Sequence, residues 1–106
     1  MVKTNNVELS ITSPWQDETF EYNYTLSIDG ILRSEEFIDG YEVILVNEST
    51  LDPLDYYREE GSFNYFAVHH HWTNHLSTSA HVHITINALD QEEILASTEL
   101  SVYCKK

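Results

Sequence analysis

Phe20, Tyr22, Tyr24, Leu26 and Ile28 alternate with Glu21, Asn23, Thr25 and Ser27. A helix would scatter those side chains around its axis, whereas a strand places every second one on the same face. The run therefore predicts a strand over 20–28, buried on one side and wet on the other. The same parity recurs along the chain. Val7, Leu9 and Ile11 alternate with Glu8 and Ser10 until Pro14, which cannot donate to a ladder. Val82, Ile84 and Ile86 alternate with His81, His83, Thr85 and Asn87, and residues 93–103 alternate again. Tyr41 to Val46 is apolar at successive positions, the pattern of a strand covered on both faces.

Between these runs, Asp29-Gly30 and Asp39-Gly40 carry the residues that tolerate positive φ, so each predicts a hairpin turn. The intervening segment, 31–38, patterns poorly because Arg33, Glu35 and Glu36 intrude, which predicts an edge-like or bulged strand. Asp52-Pro53 reads as an N-cap followed by a proline at the first helical position, and Gly61 as a stop, so one short helical turn is expected between them. About seven short strands with a single helical turn define an all-β chain. The expected architecture is an antiparallel β-sandwich, immunoglobulin-like or fibronectin-like, in one domain over residues 1–106.

A chain of 106 residues can bury a core without disulfides or a structural metal. Cys104 is the single cysteine, so no intrachain disulfide forms, and that count fits a reducing, cytoplasmic compartment. No apolar stretch approaches the roughly 18 residues of a membrane helix. Eighteen acidic residues against five basic ones give a net charge of −13, which excludes a phosphate-binding surface as the default and so argues against direct nucleic-acid binding.

All six histidines fall between Gly61 and Leu89, a stretch with no Asp, Glu, Lys or Arg. His69 and His71 share one strand face, while Phe66, Val68, His70 and Trp72 share the other. An antiparallel hairpin joined through residues 73–79, with both apolar faces inward, would bring His71 near His81 and His69 near His83. Four imidazoles grouped in this way make a candidate zinc or copper site. Their titration near neutrality is an alternative use, since full protonation would move the net charge from −13 to −7.

The acids concentrate at Glu35, Glu36, Asp39 and Glu42, then at Glu48, Asp52, Asp55, Glu59 and Glu60, the latter set accompanied by Tyr56 and Tyr57. Carboxylates at a surface can occupy the lysines and arginines with which another protein holds phosphates, and tyrosines supply contact area between them. Apart from Glu42, these residues, ten in all, form the candidate partner-binding set. The leading expectation is a non-enzymatic inhibitor of the anti-defence or immunity type, engaging a basic protein partner that itself binds nucleic acid. A cross-strand metal site at His69, His71, His81 and His83 is the alternative.

Overall fold

The computed structural model describes residues 6–106. Six strands form in the order β1 (Val7–Ser13), β2 (Thr19–Phe20), β3 (Thr25–Asn47), β4 (Pro53–Thr73), β5 (Ala80–Asp90) and β6 (Glu93–Cys104). The strands β3 and β4 are long because each bends from one layer of the molecule into the other. All of β1, the first half of β3 and the second half of β4 set up one layer: Val7–Ser13 pairs with Ser34–Asp29, and Thr25–Arg33 pairs with Thr73–Tyr65. The second layer runs outward from the other half of β3, where Gly40–Val46 lies between Glu60–Pro53 of β4 and Leu89–His83 of β5. Next to β5 comes β6, and β2 adds a short parallel pairing at Tyr103 and Cys104.

Counting each half of β3 and β4 separately gives seven strand passes besides β2, three in one layer and four in the other. This is an antiparallel β-sandwich of the immunoglobulin-like or fibronectin-like architecture. The core lies between the layers. Leu26, Ile28 and Leu32 from one side meet Val43, Leu45, Val82, Ile84 and Ile86 from the other, each with no exposed surface. Each such burial contributes about 1.5–3 kcal/mol before the entropy of ordering is charged against it.

Several local expectations are corrected. The strand over 20–28 is interrupted: Asn23 takes φ 71° and Tyr24 N–H bonds to the Glu21 carbonyl, so a turn separates β2 from β3 and leaves Tyr22 and Tyr24 exposed. Neither Asp-Gly pair makes a hairpin. Gly30 lies within β3, where an added Cβ would stand 2.3 Å from the Ser10 carbonyl oxygen of β1. Gly40, at φ 142°, lets β3 cross between layers against the Glu59 carbonyl. Both glycines serve close backbone approach. The irregular segment 31–38 does contain a break in register, between Arg33 and Ile38, where the chain turns the corner.

The helical turn between Asp52 and Gly61 is absent, because those residues form the first half of β4. Pairing with β3, and burial against it, outweigh the local cap signals. Residues 41–46 do form a central strand, yet only Tyr41, Val43 and Leu45 are fully buried. Glu42, Ile44 and Val46 line a half-exposed outer face.

Candidate functional site

The molecule measures 52 × 22 × 21 Å, so its two ends are distinct places. At one end lies the corner where β3 and β4 bend. Glu35 and Glu36 sit exposed on the bulge, Asp39 accepts the Gln91 N–H at 2.8 Å, and Glu60 meets Arg58 at 3.2 Å. The β5–β6 turn brings Asp90, Glu92 and Glu93 to the same end, held by positive φ at Gln91 and Glu92. Phe37 is 64% exposed there and Phe63 56%. This end therefore combines carboxylates from three separate segments with two exposed phenylalanine rings. The acidic run over 90–93 was visible in the sequence and went unassigned for want of a contact to the bulge.

The remaining members of the acidic set lie elsewhere. Glu48 and Asp52 belong to the β3–β4 loop at the opposite end. Asp55 and Tyr57 close the seam between the two halves of β4: His70 Nε2 lies 2.6 Å from Asp55 Oδ2, and the Tyr57 ring stacks on His70 at 4.7 Å between centroids. Glu59 accepts the Tyr57 hydroxyl, and that bond, with burial, pushes the phenol up to about 12. In the same seam the Tyr41 hydroxyl meets both backbone polar groups of His69, at 3.2 and 3.4 Å. Tyr56 points outward and donates to Glu42 Oε1 at 2.8 Å.

Glu42 begins a chain of hydrogen bonds across the four-stranded layer. Asn87 Nδ2 donates to Glu42 Oε2 at 2.8 Å, and Ser97 Oγ donates to Asn87 Oδ1 at 2.7 Å. Nearer the loop end, Ser101 Oγ donates to Glu48 Oε2 at 2.6 Å, while the His83 ring lies 3.0 Å from Glu99 and 3.8 Å from Glu48. Glu42 belongs to the first acidic concentration in the sequence but not to the candidate binding set, and Glu99 stands out in neither, being one acid in an otherwise mixed strand.

The four candidate metal ligands are not brought together. The face assignments hold, with His69 and His71 outward beside buried Val68, and His81 and His83 outward beside buried Val82 and Ile84. The hairpin does not form. The histidine half of β4 pairs with β3 in the three-stranded layer, whereas β5 pairs with β3 and β6 in the other, so the two pairs occupy opposite outer faces. Among the described residues, no group of three or more His, Cys, Asp or Glu side chains is placed to hold a metal ion. His69 instead contacts Asp29 at 2.6 Å, and its ring packs edge-on against His71 at 4.4 Å. The hydrogen bond from His69, seconded by Ser27 at 2.7 Å, holds the Asp29 carboxyl below the usual carboxylate range against the opposing effect of burial.

The fold and these surfaces define a β-sandwich with a strongly acidic exterior. No family model matches the chain, and no curated protein matches it in sequence. Among solved structures, the chain is similar to the CARDB domain of the PF1109 protein from Pyrococcus furiosus, a structure in complex with di-metal ions. The likeness covers 97% of this chain and 94% of that one, at 11% identity and a TM-score of 0.45. It assigns neither site nor activity here.

Proposed function

We propose that this chain is a non-enzymatic protein-binding module, an inhibitor of the anti-defence or immunity type, whose acidic corner engages a basic, nucleic-acid-binding protein. A reducing, cytoplasmic setting belongs to the same proposal. The observation that carries it is the convergence of Glu35, Glu36, Asp39, Glu60, Asp90, Glu92 and Glu93 around exposed Phe37 and Phe63. Carboxylates so placed steer a positive partner and occupy its phosphate-binding cations, while the two rings supply apolar contact once water is displaced.

The test begins with a basic protein recovered bound to this chain in its own cells. Raising salt from 50 to 500 mM should slow association at least about tenfold, because salt screens charges separated by more than roughly 8 Å at physiological strength, and by less at higher salt. Replacing Glu35, Glu36 and Glu60 with glutamine should slow association further, and Phe37→Ala should speed dissociation. Association indifferent to both salt and the glutamine variants would remove the proposal.

A further inference from the structure

The four-stranded layer carries a second concavity, away from the acidic corner. It is an open depression of about 540 Å³ beside β6. Its wall exists because the β1–β2 loop is fastened to the edge of β6: Asp17 N–H donates to the Ser101 carbonyl at 2.7 Å, and Ser101 N–H donates to Gln16 Oε1 at 2.9 Å. The loop after β3 forms another side, anchored by Glu48 N–H to the His81 carbonyl at 3.0 Å.

Within this concavity the acceptors are held in place before any ligand arrives. Glu48 is fixed through one oxygen by Ser101, and Glu99 through one oxygen by His83, so that the imidazole lies between two carboxylates. A carboxylate offers about four lone-pair sites, and these bonds leave most of them open. Asp17 adds a third carboxylate, and among the described residues no lysine or arginine lines the depression. The His81 ring, which packs against Tyr103 at 5.0 Å between centroids, adds an aromatic side. Fixed carboxylates on either side of one imidazole suit a planar cation with several donors better than a point charge. A guanidinium stacked on the His83 ring would face the same two carboxylates and could bond both. An ammonium would gain the charge but not the stacking or the paired bonds.

We infer that this depression is a binding site for a guanidinium group. The chemistry can come from an arginine side chain of a protein or from a free guanidinium compound. The site stands apart from the acidic corner and does not depend on the function proposed for it.

The test is a titration of the full chain, labelled with nitrogen-15, followed by amide chemical shifts. The probes are an arginine-centred capped pentapeptide, the same peptide with citrulline or lysine in place of arginine, and agmatine. The arginine peptide should move the Gln16, His83 and Ser101 amides saturably, with a dissociation constant on the order of millimolar. The citrulline peptide, which has the shape without the charge, should not, and the lysine peptide should bind at least about threefold more weakly. Glu48→Gln and Glu99→Gln should each weaken binding about fivefold or more at unchanged melting temperature, while Glu93→Gln at the far end should leave it alone. Tighter binding of the peptide than of agmatine assigns the guanidinium to a protein; the reverse assigns it to a small compound. Equal shifts with citrulline, indifference to both glutamine variants, or shifts confined to the acidic corner would overturn the site while leaving the corner's proposed role untouched.

Discussion

Gly40→Ala tests the crossing of β3 between layers, the feature on which the whole sandwich depends. A Cβ at this position would stand 1.9 Å from the Glu59 carbonyl oxygen and 3.0 Å from its carbon, and φ is 142°, a conformation that side chains avoid. Both obstacles are backbone, so neither strand can yield without losing part of the β3–β4 ladder. Strained φ alone costs about 1–3 kcal/mol, and the clash adds to it, so a loss of at least about 3 kcal/mol is expected. At roughly 4–8 °C per kcal/mol for a domain near this size, the melting temperature should fall by about 12 °C or more. The hairpin turn that Asp39-Gly40 suggests in the sequence would turn the same Cβ toward water and cost only about 1–2 kcal/mol. Gly61→Ala is the control, since its Cβ meets the exposed Phe63 ring, which can swing aside. Urea denaturation of both variants, read with the slope as well as the midpoint, measures the difference. A Gly40→Ala loss under 2 kcal/mol, or equal losses for the two variants, would refute the close crossing.

Asn74 is fully buried, and its Nδ2 lies within 3.2 Å of the carbonyls of Phe20, Glu21 and Lys105, joining three segments at the loop end. Asn74→Ala should therefore cost about 1–3 kcal/mol by denaturant unfolding, from the lost tie between segments, because the Phe20 and Glu21 carbonyls keep the Lys105 and Tyr24 N–H groups. The depressed Asp29 carboxyl contributes stability that is present above its unfolded value near pH 4 and disappears as pH falls through its lower folded value. Asp29→Asn should flatten the acid side of the stability profile by a few tenths of a kcal/mol, a small effect because both partners are well exposed. Burial pushes the Cys104 thiol up to about 11, so a thiol reagent at pH 8 should label the native chain only as fast as it unfolds.

Strand parity was legible because it depends on neighbours two positions apart. Val82, Ile84 and Ile86 are buried, and Leu26 and Ile28 with them, as alternation alone requires. Partner choice was not legible, since it depends on contacts far along the chain. Asp52 and Pro53 are an N-cap residue and a proline suited to starting a helix, yet residues 53–60 pair with β3 over Gly40–Val46 and become strand. The acidic corner was half legible for the same reason. Glu35, Glu36 and Asp39 stood out as a cluster, but their neighbours in space, over 90–93, lie about fifty positions later.

The histidines show how a correct local reading led to a wrong assembly. Consecutive strands most often pair, and on that rule β4 and β5 form a hairpin that gathers four imidazoles. A sandwich breaks the rule wherever its connection passes from one layer to the other, and the link from Thr73 to Ala80 does so here. The buried Asn74 and exposed His75 sit in that link, the first fastening it to the chain's opposite strands and the second bonded to Asn23 at 2.7 Å. Once the link crosses, outward-facing residues of β4 and β5 point away from each other, and no adjustment of register can reunite them. The charge-free segment is then explained by pairing rather than by ligation. Two of its outward histidines find acidic partners on neighbouring strands, Asp29 for His69 and Glu99 for His83, while His71 packs against His69 and His81 against Tyr103.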